Sequence, residues 1–384
     1  MHRLRNIMRD KLVVIGPTGR PTTGRRTCTV EALAALSEAE FTNVAVINTS
    51  PKYSGVLSVA KKQCDIAILL VSLVTSRLTG NSVRAAYLAV NDRWGIIYDL
   101  QAIMLLRLFS VKRLTLHHHS RRYCLERSRL LAALLRATKK LTTSHIVQCS
   151  MIGCELRSRY SVSQPIYSIS NLYAVDFIGL AAAGLEFSAS KLSENKSIKV
   201  GLVSNLCEDK GVLTFIKVAR YYYSLGDCNV EFELGGPIRD KRCQAEIDSA
   251  VRDGVLKYLG PIYSQRKFQW LASLDCFLFP STYVAETEGI VVIEALLSGA
   301  VAIVPETLCI NPEILKLDRV FRLGPDRMEH ERESIIIINR LLDRARTYSA
   351  RFDYGGLQEE RVSLRVELKN VVLGYGGGRL IESG

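Results

Sequence analysis

The chain has little of what marks a membrane-embedded, secreted or metal-dependent protein. Its longest uninterrupted apolar run near the amino end is Ile66–Val71, with Leu73 and Val74 just beyond, which is too short to cross a bilayer. The opening MHRLRNIMRD carries charge but no apolar segment, so no signal peptide is expected there. The ten cysteines form no CxxC pair and no metal-type cluster, and they read as reduced, mostly buried thiols of a cytoplasmic protein. Histidine is scarce too: of six, three are consecutive, His117, His118 and His119. Successive side chains of an extended segment alternate faces, so these three cannot readily share one ion, and no metal site is expected. Carboxylates are sparse in one half only. Residues 1–176 hold 10 Asp and Glu against 25 Lys and Arg, net +15, whereas the remainder holds 28 against 26, net −2. A basic half suits an anionic partner such as a membrane surface, a diphosphate-linked lipid or nucleic acid. Nucleic acid is the least favoured, because the basic residues are not interleaved with exposed-looking aromatic motifs.

What is present points to two domains, since 384 residues exceed what one hydrophobic core normally organises. From Lys11 short apolar runs alternate with longer helical stretches. KLVVIG, NVAVIN, DIAILLVS, RLTLHHH, HIVQCS and PIYSIS read as strands, and TVEALAALSEAE and RSRLLAALLRATKKL have helical spacing. Residues 178–196 are small, polar and aperiodic, and read as a linker. The alternation then restarts with IKVGLVS, NVEFELGG, VLKYLGP, DCFLFP and AVAIVP. Two open parallel sheets covered by helices are the expected fold class, α/β.

The richest stretch is Pro280–Glu294, PSTYVAETEGIVVIE, with Glu286 and Glu294 on either side of Gly289. It lies where a strand hands over to a helix. Amides of Gly289, Ile290 and Val291 at a helix start carry partial positive charge and suit a phosphate. Glu294 falls inside the apolar helix, where an ionised carboxylate needs donors, and paired sugar hydroxyls are suitable ones. With Tyr283 before it, EALLSGAVAIVP after it and Pro312-Glu313 closing the next loop, the run resembles the signature of the family-4 (group 1) retaining glycosyltransferases of the GT-B type.

The resemblance implies two Rossmann-like domains facing each other across a cleft: residues 1–177 on the acceptor side and 197–350 for the nucleotide sugar. It also implies a helix within 351–384 that crosses back to the first domain, ahead of a mobile glycine-rich tail. Glu286 would bind donor-sugar hydroxyls, Glu294 the nucleotide ribose, and Lys210 the diphosphate. Many relatives place an arginine where this chain has Asn205, so one positive charge is missing. Gly235 and Gly236 would line the nucleotide pocket, and the KYLGPI backbone would meet the base. The loop GPTGRPTTGRR, with Gly16, Gly19, Gly24, Arg20, Arg25 and Arg26, has neither dinucleotide nor Walker spacing. It resembles the family loop that borders the acceptor. His119, with His118 second, would reach the donor sugar from the acceptor side. Asn171 and Asp176 resemble a pair that closes the first domain, without a catalytic role.

The expected activity is therefore retaining, metal-independent sugar transfer from a nucleotide diphosphate sugar, with no further cofactor. The expected acceptor is a saccharide or lipid-linked hydroxyl in bacterial surface polysaccharide synthesis, at the cytoplasmic face of an anionic membrane. Two alternatives stand beside it. One is a nucleotide-sugar epimerase of the same fold; the other is a noncatalytic subunit, suggested by Asn205 and by Glu288, where relatives often carry an aromatic or small residue.

Overall fold

The computed structural model describes residues 10–19, 23–38, 43–50, 55–182, 197–226, 229–316, 319–344 and 354–381. They divide into two units, one of Met1–Ala174, Ala285–Thr287 and Glu360–Gly384, the other of Val175–Val284 and Glu288–Glu359. The first unit alternates β1 (Asp10–Gly16), α1 (Gly24–Ser37), β2 (Asn43–Asn48), α2 (Gly55–Leu78), β3 (Ser82–Val90), α3 (Ile96–Leu108) and β4 (Arg113–His118). It continues with α4 (Arg122–Leu125), α5 (Arg129–Thr138), β5 (Thr142–Val147), α6 (Ser150–Tyr160) and β6 (Ile166–Ser168). The second unit opens with α7 (Phe177–Ala182) and runs β7 (Ile198–Val203), α8 (Val212–Ser224), β8 (Val230–Gly235), α9 (Lys241–Arg252), β9 (Lys257–Tyr258) and α10 (Ser264–Ser273). Then follow β10 (Cys276–Leu278), α11 (Ile290–Leu297), β11 (Val301–Pro305), α12 (Pro312–Leu315), β12 (Val320–Leu323) and α13 (His330–Arg344). The chain ends with α14 (Tyr354–Leu373), which counts with the first unit from Glu360 onward, and β13 (Arg379–Leu380).

The first sheet has the order β13-β6-β5-β4-β3-β1-β2 and the second β12-β11-β10-β7-β8-β9. Every pairing is parallel except β13 on β6. Ala85–Val90 of β3 and all of β11 are buried, as expected for parallel strands covered on both faces. Both sheets have a switch point, β1 between β3 and β2 and β7 between β10 and β8, where successive connections leave in opposite directions. In such sheets the crevice at the strands' carboxyl ends is where ligands bind. In the first unit Arg365 on α14 donates to Glu31 at 2.8 Å and to Glu38 at 2.9 Å, and Arg113 of β4 donates to the Leu373 carbonyl, so the last helix is fastened by ion pairs and a terminal carbonyl.

Four expectations are corrected. DIAILLVS is not a strand but the middle of α2: Asp65, Leu69, Leu73 and Ser76 are its buried positions, three or four residues apart, and Lys61 pairs with Asp65 at 2.6 Å. The strand in its place is β3, whose alanines and arginine give it a weak apolar signal. The glycine-rich tail is not wholly loose, because β13 adds an antiparallel edge strand to the first sheet. Of the expected linker, residues 178–182 are helical; residues 183–196 lie outside the described residues, as does Arg20. Among the described residues seven cysteines are free thiols, but Cys149 and Cys309 are in the disulfide state, against the expectation of ten reduced ones.

Two glycines hold the second unit's site-bearing loops close together. Gly211 has φ +79°, and a Cβ there would strike the Pro280 carbonyl. Gly236 has φ +114°, and a Cβ there would strike the Ser204 carbonyl. In both cases the neighbour is backbone and cannot swing aside. Gly236→Ala is therefore expected to cost roughly 3 kcal/mol. The measurement is the chain's thermal unfolding midpoint, and an unchanged midpoint would contradict the argument.

Candidate functional site

In the second unit the connections leaving β7, β8 and β10 carry the candidate residues. After β7, Ser204–Gly211 folds into a short 3-10 turn, Glu208–Lys210, before α8 begins. Its Asp209 carbonyl accepts from the Thr282 amide at 2.8 Å, so the turn rests on the segment that follows β10. The Lys210 ammonium then lies 4.3 Å from the Tyr283 ring centroid and 5.8 Å from that of Phe279. Cation–π attraction on both rings aims the lysine, which gives Tyr283 in the sequence run a physical purpose.

The loops after β7 and β8 are stitched together by continuing the parallel ladder. Leu206 N donates to the Pro237 carbonyl at 2.9 Å and Arg239 N donates to the Leu206 carbonyl at 2.8 Å. This register brings the Arg239 guanidinium to Asn205, whose Oδ1 accepts from Nε at 3.1 Å and from Nη2 at 3.0 Å. Asn205 therefore does not leave the loop without a cation; it holds one supplied from the neighbouring strand. Arg239 is exposed, so its other N–H groups face solvent. Gly236 closes the turn, its amide donating to the Gly260 carbonyl at 2.8 Å while its own carbonyl accepts from Tyr258 Oη at 2.8 Å.

Helix α11 starts at Gly289 with no side-chain cap, so its first-turn amides keep their partial positive charge. One turn in, Glu294 is 5% exposed, and Lys267 on α10 donates to both its oxygens at 2.6 Å. Burial raises the Glu294 carboxyl above its ordinary range and Lys267 opposes the rise. A carboxylate has about four acceptor positions. Lys267 occupies two, so hydroxyl donors would have to share the group. Glu288 is buried and accepts from the Asn311 amide at 2.9 Å, which ties the loop before α11 to the cap of α12. Its carboxylate is thus structural. Glu286 is half-buried in the Ala285–Thr287 stretch that counts with the first unit.

The first unit carries His119, Gly24 and the glycine loop. Gly24 begins α1, which Thr23 caps by accepting from the Arg26 amide. His117 and His118 lie inside. Gln148 Nε2 donates to the His118 carbonyl at 2.8 Å and lies 3.2 Å from His117 Nε2, so that nitrogen accepts and His117 Nδ1–H donates to Tyr87 Oη at 2.7 Å. His118 lies 3.0 Å from Tyr123 Oη on one side and 3.0 Å from His145 Nδ1 on the other. His119, one residue past β4, has its ring 4.0 Å from that of His117, and its buried Nε2 has no partner. It is the histidine of the three with a ring nitrogen left over, while both nitrogens of His118 are engaged.

Beneath the glycine loop, Arg25 donates to the Ala89 carbonyl at 2.5 Å and to Asn91 Oδ1 at 2.9 Å. Asn91 in turn donates its side-chain amide to Asp99 at 2.6 Å and its backbone amide at 2.7 Å. The asparagine relays charge between a cation and a carboxyl that burial pushes up to about 6. Asn91, Asp99, Arg239 and Lys267 carry no signal that sequence reading could have used, except that Arg239 follows Gly235-Gly236-Pro237 by two residues. Among the described residues no group of three or more His, Cys, Asp or Glu is arranged to hold a metal ion.

Residues 197–322, which contain all of these second-unit loops, match the family model described as Glycosyl transferases group 1. The second unit carries a group 1 glycosyltransferase domain. Whole-chain likeness is to solved structures at low identity. HepE of Anabaena in complex with UDP is 15% identical with a TM-score of 0.59, over 95% of this chain and 99% of that one. MnaA of S. aureus with UDP is 12% identical with a TM-score of 0.58, over 98% and 100%. WaaG, a glycosyltransferase involved in lipopolysaccharide biosynthesis, is 11% identical with a TM-score of 0.57, over 95% and 100%. The fold is GT-B. No curated protein matches the sequence.

The buried histidines make the first unit acid-sensitive. Burial holds His117 and His145 at about 3, and His118 and His119 well below the ordinary 6.5. These rings take up protons only on unfolding, so their contribution is present above pH 6.5 and is lost as pH falls. For His117 and His145 the loss is about 1.4 kcal/mol each per pH unit between the unfolded and folded values. Asp99 works the other way, its raised pKa adding stability as pH falls below about 6, and the raised carboxyls of Glu367 and Glu294 act in the same direction, but these three oppose four histidines. Urea unfolding at descending pH should show stability dropping from about pH 6.5; a flat profile to pH 5 contradicts the buried neutral network.

Proposed function

We propose that the chain is a retaining glycosyltransferase that moves a sugar from a nucleotide diphosphate sugar to an acceptor hydroxyl. The observation that carries the reading is the pairing of cations at one end of the second sheet, Lys210 aimed by Tyr283 and Arg239 held by Asn205, beside the uncapped start of α11. These are donors for an anion with two phosphates. The bond from the anomeric carbon to the diphosphate oxygen breaks, and that oxygen keeps the electron pair. The acceptor oxygen forms the new bond on the same face of the sugar, and its proton passes to the departing phosphate. The protein's contribution is electrostatic: Lys210, Arg239 and the amides of Gly289, Ile290 and Val291 stabilise the charge that grows on the leaving group. Glu294 takes the ribose hydroxyls alongside Lys267, Gly235 and Gly236 let the nucleotide approach backbone, and Glu286 and the neutral ring of His119 orient the donor sugar. Gly24 and its loop border the acceptor.

HepE and MnaA were solved with UDP, which makes UDP the first nucleotide to try. The acceptor is a saccharide or a lipid-linked sugar of bacterial surface polysaccharide, met at the inner face of the cell membrane, and transfer needs no metal ion. The noncatalytic alternative loses its main support, because Arg239 replaces the charge that Asn205 lacks and Glu288 has a structural partner. Epimerisation is separated from transfer by incubating the donor alone and following the sugar by NMR.

Lys210→Ala should lower kcat by roughly 10²–10³, the usual loss for one donor to a developing oxyanion. Arg239→Ala should weaken UDP binding about tenfold, a typical effect of losing one charge-assisted contact. Calorimetry with UDP and an initial-rate assay measure the two, and unaltered affinity and rate in both variants would remove the proposal. Chelation with EDTA should leave the rate unchanged; loss of activity restored by manganese would overturn the metal-independent mechanism.

A further inference from the structure

We infer that α2 and α3 form a lipid-docking face, lying in the plane of an anionic membrane surface with the cations of α5 beside them. This deepens, and rests on, the membrane location proposed above. The primary observation is that α2 leaves an aliphatic face outside. Its inner side mixes Leu69 and Leu73 with polar groups: Asp65 is buried and paired with Lys61, and Ser72 and Ser76 accept from Lys11 of β1 at 3.0 and 2.9 Å. Its outer side is aliphatic. Ile68, Val71 and Leu78 follow one another at spacings of three and seven residues and are exposed, Val71 by 60% and Leu78 by 80%. From Gln63 to Ser76 no exposed position of the helix is charged. An ordinary surface helix carries charged and polar residues on its outer face.

The neighbouring helix continues the face. α3 packs beside α2, and its outward positions Met104 and Leu108 are exposed, Leu108 by 75%. Trp94, just before α3, is also exposed, and an indole suits the headgroup level of a bilayer. So many exposed aliphatic residues on two helices packed side by side are unusual on a protein that leaves them to water. Among the described residues no helix is long and apolar enough to cross a membrane, and α2 is held to the sheet along one side. Immersion of one face, to a depth of roughly 5–10 Å, is the arrangement that fits such a helix.

Charge decides what covers the face. The carboxylates of α2, α3 and α5 are Asp65 and Asp99, both buried. The cations are exposed: Arg77 at the end of α2, Arg129 and Arg136 on α5, which packs against α3, and Lys139 and Lys140 just after it. A second copy docking by the same face about a two-fold axis would set apolar against apolar but bring cations together, with no surface carboxylate on these helices to meet them. An anionic bilayer meets both the aliphatic stripe and the positive rim.

The test is flotation of the full chain with vesicles of phosphatidylcholine alone and of phosphatidylcholine mixed with phosphatidylglycerol. The mixed vesicles should carry the protein at low salt and the neutral ones much less. Val71→Ser with Leu78→Ser, both at exposed positions, should lower the partition onto mixed vesicles by roughly tenfold. Arg136→Gln with Lys139→Gln and Lys140→Gln should remove the preference for phosphatidylglycerol. UDP binding by calorimetry should be the same in all variants and confirms that they are folded. Unchanged flotation of the serine variant, indifference to lipid charge, or a concentration-dependent dimer that the serine substitutions dissolve while vesicles are ignored would each overturn the inference. A chain that floats as described yet fails to bind UDP would sink the donor reading and leave the docking face standing.

Discussion

Close backbone approach at the carboxyl end of β7 is the constraint on which the donor side depends. Gly236 lets the strand β8 turn against Ser204, and Gly211 lets the loop after β7 turn against Pro280. Only because these two contacts are made without side chains can Leu206 and Arg239 extend the parallel ladder beyond its strands, and only then does Asn205 reach the Arg239 guanidinium. The same packing lays the Glu208–Lys210 turn on Thr282 and sets the lysine over Tyr283. Cations, rings and helix start are placed by backbone geometry first and by side-chain choice second.

The two units use buried charge differently. In the second, Glu294 is buried but met on both oxygens by Lys267, an arrangement in which the pair satisfies itself while leaving acceptor positions for hydroxyls. In the first, the chain Arg25–Asn91–Asp99 spreads one cation and one carboxyl across a neutral amide, and four histidines are kept neutral by burial among tyrosines and each other. Such a network is stable while every ring stays uncharged. His119 stands at its edge, and its buried Nε2, like that of His145 inside, has no partner.

Much of the α/β alternation was legible because parallel strands buried on both faces leave continuous apolar runs, as in KLVVIG, IKVGLVS and AVAIVP. The same rule misread DIAILLVS, whose apolar run belongs to a helix that shows its aliphatic side to the outside, so that hydrophobicity did not report burial. β3 escaped notice for the converse reason: alanines are buried there by the sheet's two covered faces, not by their own hydrophobicity. β13 was missed because two residues after a glycine run have no periodicity to detect.

The residue types within Pro280–Glu294, the lysine before Gly211 and the paired glycines after β8 are local features, and local patterns of glycine, apolar run and carboxylate suffice to mark where a strand passes to a helix start. The partners of those residues are a different matter. Arg239 stands 34 positions from Asn205 and Lys267 stands 27 from Glu294. Strand order and register bring each pair within hydrogen-bond reach, and these depend on how whole helices and strands pack, for which no short stretch of chain carries the information.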